Sequence, residues 1–101
     1  PAILKAYIDY VSVTGITFKY TAEGPVGLLK DKKAVHIVSR GGEYANAPYE
    51  MGDRYLRTIL GFFGISEIET IAVENVDVIG VNVQEKVEEG IKKANLLAQK
   101  F

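Results

Sequence analysis

Apolar residues recur along the chain in two kinds of stretch, some with the spacing of a helix and others short enough for strands. Residues 2–13 carry apolar side chains at helical spacing: Ile3, Leu4, Tyr7, Ile8 and Val11. Pro1 precedes them, at a position where proline is tolerated in a helix. This pattern predicts an amphipathic helix that ends near Gly15.

Two later stretches also have helical spacing. Residues 51–63 end at Gly64 and place on one face Tyr55, Leu56, Ile59, Leu60 and Phe63. Asn82, with Glu85 three residues later, resembles a helix-capping arrangement. The helix that follows is predicted to direct inward Val83, Val87, Ile91, Ala94 and Leu97.

Two short apolar stretches are predicted to be strands. Residues 34–38 are rich in Val and Ile and end abruptly at Ser39, as expected of a buried strand. Residues 68–73 form a second candidate, and residues 76–79 either extend it or pack beside it. A strand, a helix and a strand in succession predict a βαβ unit with parallel strands and a right-handed crossover.

Residues 16–30 connect the first helix to the first of these strands. Two glycines and a proline lie in this stretch, and we expect an irregular excursion with one short extended piece. Connections of this length are often functional. Phe18 and Tyr20 are therefore candidates for a functional role, the alternative being that they pack onto the core.

The predicted order is helix, excursion, strand, loop, helix, strand, helix, which is an α/β arrangement. Parallel sheets normally contain more than two strands and carry helices on both faces. The chain begins with Pro1 rather than Met, and its pattern opens without a preceding strand. We therefore expect the chain to be a piece of something longer.

Composition narrows the classes of function. The 101 residues carry a formal net charge of −1 and are 48% hydrophobic, which suits one compact unit rather than two. The near-neutral charge and the absence of a Lys/Arg stripe argue against a nucleic-acid partner. Cysteine is absent, which excludes a thiolate nucleophile or cysteine metal site in this chain and is compatible with a cytoplasmic protein. No apolar run approaches the roughly 20 residues of a membrane span.

Four residues, Ser39, Arg40, Gly41 and Gly42, follow the first predicted strand, and we call them the glycine loop. Ligands of open parallel sheets bind outside the carboxyl ends of the strands. Paired glycines permit a positive φ and the close approach of a ligand to the backbone. The alternative is a simple turn in which Ser39 caps the next element and Arg40 is a solvated charge.

Candidate catalytic side chains are few. His36 is the only histidine, and a lone histidine among apolar neighbours is more often a satisfied structural residue than a catalyst. No phosphate-binding loop or dinucleotide fingerprint is present. This inventory favours a bound cofactor as the source of reactivity. Candidates to line its pocket are Phe18, Tyr20, Tyr44, Tyr49 and Phe62, although each alone is more often core or surface.

Five linked motifs resemble those of the FMN-dependent NADH-azoreductase family, whose members are flavodoxin-like NAD(P)H:quinone oxidoreductases. The motifs are Thr17-Phe18-Lys19-Tyr20-Thr21, Gly24-Pro25-x-Gly27-Leu28, Lys32-Lys33-Ala34, Ser39-Arg40-Gly41-Gly42 and Leu60-Gly61-Phe62-x-Gly64-Ile65. The resemblance spans essentially the whole chain and about the C-terminal half of the family's length. It implies that residues 1–101 are the C-terminal portion of a single flavodoxin-like domain with a doubly wound parallel sheet. The N-terminal strands and the phosphate loop of that domain are absent from these residues.

The resemblance also implies site residues. Ser39, Arg40, Gly41 and Gly42 match the loop that contacts the isoalloxazine ring of FMN. Phe18 and Phe62 match aromatic positions near the flavin face, where NADH and a quinone or azo substrate stack in turn. No side chain of this chain is expected to act as a nucleophile, and no metal is implied.

The implied activity is a ping-pong reaction in a cytoplasmic homodimer whose active sites lie near the subunit interface. NADH reduces the flavin, and the reduced flavin passes two electrons to a quinone or an azo bond. Two alternatives remain: a non-enzymatic flavodoxin-type electron carrier and a flavin-less interaction domain. The net charge of −1 argues against the carrier, because such carriers usually have an acidic docking surface.

Overall fold

A computed structural model describes residues 1–101 and contains three helices and four strands. In chain order these are α1 (Ala2–Val11), β1 (Phe18–Thr21), β2 (Gly24–Gly27), β3 (Lys33–Ser39), α2 (Gly52–Phe62), β4 (Glu67–Val73) and α3 (Val83–Lys100). The strands form two separate two-stranded sheets, β1–β2 and β3–β4. All three predicted helices and both predicted strands are therefore confirmed.

The β3–β4 sheet has the predicted βαβ connection. Its strands are parallel and pair in one continuous register, from Lys33 opposite Glu67 to Ser39 opposite Val73. Helix α2 makes the crossover between them, which brings the carboxyl ends of both strands to the same edge of the sheet. That edge carries the glycine loop, whose Ser39 is the last residue of β3, and Glu74 after β4.

The prediction of an irregular excursion at residues 16–30 was wrong, because this stretch forms an antiparallel β-hairpin. β1 and β2 pair from Phe18 opposite Gly27 to Thr21 opposite Gly24. Gly24 has a φ of +114°, which glycine adopts without strain, and the Thr21 hydroxyl donates to its carbonyl at 2.7 Å. Glycine and proline are rare inside strands, so β2 has none of the usual strand signals.

The hairpin rests on the turn between α2 and β4. The N–H of Leu29 donates to the carbonyl of Phe63 at 2.9 Å. A Cβ on Gly27 would overlap the backbone of Gly64, and a Cβ on Gly64 would lie 2.7 Å from the Leu29 carbonyl. Glycine at both positions therefore allows two backbones to touch.

Helix α1 ends at Val11, two residues before the predicted end. Thr17 is buried, and its hydroxyl donates to the carbonyl of Val11 at 2.7 Å and accepts from the N–H of Val13 at 3.0 Å. The Ser12 hydroxyl donates to the carbonyl of Ile8 at 2.7 Å. These hydroxyls satisfy the helix end, so the chain turns before Gly15 is reached.

Few side chains are buried. The predicted face of α2 is buried or half-buried except at Tyr55, whereas the predicted inward face of α3 was wrong at three of its five residues. The buried apolar residues are Ile8, Phe63, Ile65 and Ile71. Ile3 of α1 is 87% exposed, Ile37 of the predicted buried strand is 68% exposed, and Val87 and Ile91 of α3 are also exposed. A two-stranded sheet offers too little surface to cover these faces.

Helix α3 is capped by a side chain at its start and packs closely against β4. Its first turn is capped by Asn82, whose side-chain oxygen accepts from the N–H of Glu85 at 3.2 Å, as predicted. A Cβ on Gly90 would lie 2.8 Å from Val73 Cγ2, so α3 approaches β4 most closely there. Residues 76–79 form turns rather than a strand. None of the helices has both the length and the apolar character required to cross a membrane.

Candidate functional site

The glycine loop lies at the carboxyl edge of the β3–β4 sheet and is bonded to the segment after β4. The N–H of Arg40 donates to the Val73 carbonyl at 2.8 Å, which extends the strand pairing by one residue. The carbonyls of Arg40, Gly41 and Gly42 then accept from the N–H groups of residues 76, 77 and 75, at 3.1–3.2 Å. Every carbonyl of this part of the loop is thus bound within the protein.

The N–H groups of Gly41 and Gly42 are free. Neither donates to a backbone or side-chain acceptor, although the carbonyls of the same residues are all bonded. Ser39 is exposed, and its hydroxyl likewise has no partner. Two successive free N–H groups are donors that suit an anionic or electron-rich acceptor.

The reason for glycine in this loop differs in part from the prediction. Neither Gly41 nor Gly42 has a positive φ. A Cβ on Gly41 would instead lie 2.5 Å from Asp77 Oδ2, and one on Gly42 would lie 3.1 Å from the Tyr44 ring. Close approach, and not the left-handed conformation, therefore favours glycine at residue 41, where a Cβ would have to displace the exposed Asp77 side chain.

Arg40 is bound by two carboxylates and is not the solvated charge of the alternative interpretation. Its Nη2 lies 3.3 Å from Glu50 Oε2, and its Nη1 lies 3.2 Å from Glu74 Oε2. The side chain is 9% exposed. Each carboxylate takes one N–H of the guanidinium and the Arg40 backbone is bonded as well, so only the remaining guanidinium N–H groups are left for a ligand.

Glu74 binds the chain on both sides of the paired glycines. Its Oε2 accepts from the N–H groups of Tyr44 and Ala45, at 2.6 and 3.0 Å, as well as from Arg40. The N–H of Tyr44 is the largest cause that lowers the pKa of this carboxyl, and Arg40 and Ala45 act in the same direction against desolvation. Glu74 is therefore ionised at neutral pH.

Glu50 caps helix α2 as well as pairing with Arg40. Its Oε2 accepts from the N–H of Asp53 at 2.8 Å and its Oε1 from that of Arg54 at 3.2 Å. A carboxylate at a helix N-terminus satisfies unpaired N–H groups and interacts favourably with the helix dipole. The start of α2 is thereby joined to the glycine loop through Arg40.

The contacts of Arg40 with Glu50 and Glu74 form one polar network. A second network, centred on Asp53, lies beside it and fixes α2 on the sheet. Asp53 Oδ1 lies 2.8 Å from His36 Nδ1 and accepts from the Thr70 hydroxyl, while its Oδ2 accepts from Arg57 Nε at 2.8 Å. Desolvation opposes ionisation of Asp53, but the bonds from Thr70, His36 and Arg57 outweigh it and lower the pKa to about 2. His36 is thus a satisfied structural residue.

An open cleft of about 460 Å³ lies between α1 and α2 over β3. The apolar and aromatic residues that line it include Leu4, Ile8, Val38, Tyr44, Tyr49 and Leu56. The rings of Tyr44 and Tyr49 meet edge to face at 5.4 Å beside the glycine loop. Only these two of the five candidate aromatic residues lie at this end of α2.

The other three aromatic residues form a cluster at the far end of α2. The ring of Phe18 lies 4.8 Å from that of Phe62 and 5.6 Å from that of Tyr20. Glu50 precedes α2 at the glycine loop, whereas Phe62 is its last residue, so about 16 Å of helix separates the two regions. The structure thus brings Phe18 and Phe62 together, but away from the glycine loop of the same chain.

Comparison with known proteins agrees with this topology. The family model for the flavodoxin-like fold matches residues 1–97. The chain belongs to this flavodoxin-like family. The α/β fold class is thereby confirmed.

Named relatives carry the activity that the resemblance implies. An FMN-dependent NADH:quinone oxidoreductase of Clostridium perfringens is 83% identical over 101 residues, which is all of this chain and 51% of that protein. A protein of the same name from Lachnoclostridium phytofermentans is 70% identical over the same extent. The chain thus spans about half the length of the curated relatives it matches.

Solved structures show the same similarity. An azoreductase from Bacillus anthracis str. Sterne has a TM-score of 0.90 at 41% identity, over all of this chain and 50% of that one. An FMN-dependent NADH-azoreductase from Bacillus anthracis str. Ames Ancestor, solved in complex with FMN, has a TM-score of 0.89 at 30% identity. That match covers 99% of this chain and 49% of the other.

Sequence reasoning missed several residues of this flavodoxin-like site. Glu74 and Asp77, which contact or crowd the glycine loop, belong to the stretch after β4, for which no functional role was predicted. The signal was present, because β4 was predicted to be parallel to β3 and its carboxyl end therefore had to lie beside the loop. No group of three or more His, Asp or Glu side chains is arranged to hold a metal ion.

Proposed function

We propose that the full-length protein containing this chain is an FMN-dependent NADH:quinone oxidoreductase that also reduces azo compounds. The free N–H groups of Gly41 and Gly42, at the carboxyl edge of a flavodoxin-like sheet, are the observation that carries this proposal. The names of relatives up to 83% identical support it. They do not favour the electron carrier or the flavin-less domain.

The glycine loop fits the isoalloxazine ring of FMN. The N–H groups of Gly41 and Gly42 and the Ser39 hydroxyl would donate to the acceptor atoms along one edge of the ring. Bound FMN supplies the two-electron chemistry that connects NADH to a quinone or an azo bond. Fixed donors beside the ring stabilise negative charge at that edge, and the missing Cβ of each glycine permits close approach.

The proposed substrates are flat molecules that stack on aromatic rings. Phe18 and Phe62 are assigned to this role, since they already contact one another and Phe18 also meets Tyr20. Stacking on aromatic faces favours many planar acceptors, which suits both quinones and azo compounds. No side chain of this chain is assigned as a nucleophile.

The separation of the two regions supports a homodimer. About 16 Å of α2 lies between the glycine loop and Phe62, so one copy does not place both beside one flavin. We propose that the aromatic cluster of one subunit faces the glycine loop of its partner. Mixed dimers test this: in a heterodimer of a Gly41→Ala subunit and a Phe62→Ala subunit one of the two sites carries neither change, so the heterodimer should have about half the activity of a wild-type dimer. Mixtures no better than either variant would contradict the shared site.

Domain organisation and location complete the proposal. We propose that residues 1–101 are the C-terminal portion of one flavodoxin-like domain, supported by the half-length match and the unpaired outer edge of β3. A cytoplasmic location is supported by the absence of cysteine and by the use of NADH. Cell fractionation of the native host, followed with an antibody, checks the location.

The activity is tested with purified full-length protein. We expect a retained FMN absorbance band and steady oxidation of NADH when a quinone such as benzoquinone is supplied, with little oxidation without it. A protein that cannot be loaded with FMN would refute the proposal. A protein that binds FMN but does not turn over free NADH would instead be an electron carrier.

A further inference from the structure

One carboxylate joins the two ends of the glycine loop. Glu74 Oε2 binds the guanidinium of Arg40, which precedes the paired glycines, and the N–H groups of Tyr44 and Ala45, which follow them. From this geometry we propose that Glu74 is a positioning residue for the FMN site. The proposal rests on the proposed function, because FMN is the ligand that the loop would hold.

The three hydrogen bonds to Glu74 add to backbone bonds that hold the glycine loop from one side. Glu74 follows β4 directly, and the N–H groups of Asn75, Val76 and Asp77 bind the carbonyls of the loop. The carbonyls therefore point toward the segment after β4, and the N–H groups of Gly41 and Gly42 are left free. Glu74 closes this arrangement by binding residues on both sides of the glycines.

The proposed action of Glu74 is through the loop, because its Oε2 accepts from three donors that all belong to the loop or directly follow it. Charge-assisted bonds of this kind are shorter and stronger than neutral ones, and the 2.6 Å contact with the N–H of Tyr44 is an example. Arg40 is half-buried and would keep Glu50 as its only charged partner if Glu74 were neutral.

Glu74→Gln is the test variant and Glu69→Gln the matched control. Both residues lie on or directly after β4, but Glu69 is exposed and forms no side-chain bond. In the full-length protein, Glu74→Gln should weaken FMN binding about tenfold, measured by quenching of FMN fluorescence on titration. Glu69→Gln should bind FMN as the wild type does.

Amide hydrogen exchange separates positioning from a general loss of structure. In Glu74→Gln without FMN, the N–H groups of Tyr44 and Ala45 should exchange faster than in Glu69→Gln. Added FMN should protect Gly41 and Gly42 less, while amides in the centre of β4 exchange at the control rate. Equal loss of protection throughout β4 would show a merely structural role and overturn the proposal.

The outcomes for the two proposals differ. Wild-type protein that does not bind FMN refutes the proposed function and, with it, the role of Glu74 toward FMN. If the wild type binds FMN and the variants Glu74→Gln and Glu69→Gln bind it with equal affinity, only the role of Glu74 is overturned. If Glu74→Gln does not fold, Glu74→Asp becomes the test variant, because it retains the charge on a shorter side chain. At least threefold weaker FMN binding than in the control then supports the proposal, and unchanged binding overturns it.

Discussion

His36 Nδ1 lies 2.8 Å from Asp53 Oδ1, and this contact joins the middle of β3 to the first turn of α2. An ionised carboxylate can only accept, so Nδ1 carries the proton and donates it. Thr70 and Arg57 bind the same carboxyl group, which links β4 to the pair. One ionised group thus holds three elements of the βαβ unit in register.

Asp53→Asn should lower stability at pH 7 by about 1–2 kcal/mol, because the partly buried network loses its charge. The pKa of Asp53 is lowered to about 2 in the folded protein, so the unfolded state binds more protons between that value and the ordinary 3.8. The Asp53 contribution is therefore complete above pH 4 and is lost as the pH falls through 2. Solvent screening reduces this contribution to about 1 kcal/mol.

Urea unfolding of the full-length protein between pH 7 and pH 2.5 measures this effect. The difference between wild type and Asp53→Asn should shrink as the pH falls. Asp9→Asn is the control, since Asp9 forms an exposed pair with Lys5 that should contribute little. A wild-type advantage that stays constant down to pH 2.5 would contradict the assigned role of Asp53.

Gly27→Ala should destabilise the protein by about 3 kcal/mol, because the new Cβ would overlap the backbone of Gly64. Gly61→Ala is the matched control, since no atom lies within 4 Å of its Cβ position in helix α2. That change should stabilise the protein by about 0.5–1 kcal/mol. Thermal unfolding of both variants should give opposite shifts, and equal shifts would show that β2 does not touch the turn.

Gly41→Ala should weaken FMN binding by tenfold or more, because its Cβ would lie 2.5 Å from Asp77 Oδ2 and displace the loop. Gly52→Ala is the control, where the new Cβ has only an ordinary contact at 3.6 Å. Adding Asp77→Ala to Gly41→Ala removes the collision. If the double variant regains affinity, the loss came from the displaced loop; if it does not, the Cβ itself blocks the flavin.

Phe62→Leu should raise the KM for a quinone about tenfold and leave FMN affinity unchanged, because the stacking face is lost while the apolar volume is largely kept. Tyr10→Leu is the control, since that ring is exposed on α1 and outside the aromatic cluster. Steady-state kinetics with varied quinone measure the effect. A fall in FMN affinity with unchanged KM would assign Phe62 to the cofactor instead.

FMN affinity should persist in mildly acidic solution, because the pKa of Glu74 lies below its ordinary value of 4.5. Binding should weaken only as the pH falls through that lowered pKa, when the carboxyl group becomes neutral and releases the loop. The Glu74→Gln variant should lack this step in an FMN titration series from pH 7 to pH 3. The same acid step in the variant would assign it to another group.

Short-range sequence patterns were sufficient to predict most of the secondary structure of this chain. Apolar periodicity located α1, α2 and α3, and Asn82 was recognised as a cap because capping depends on residues three positions apart. The strand, helix and strand order required parallel pairing of β3 and β4. The hairpin was missed because β2 is mostly glycine and proline, and pairing with β1 provides its order instead.

What the sequence by itself determined was the order of elements, the βαβ unit and the glycine loop at its carboxyl edge, since each follows from short-range patterns. Only the tertiary structure decided which loop groups are free, because that depends on bonds to residues more than 30 positions away, such as Arg40 with Glu74. It also decided that Phe18 and Phe62 lie one helix length from that loop. The spacing of residues along the sequence reveals neither these long-range bonds nor this distance.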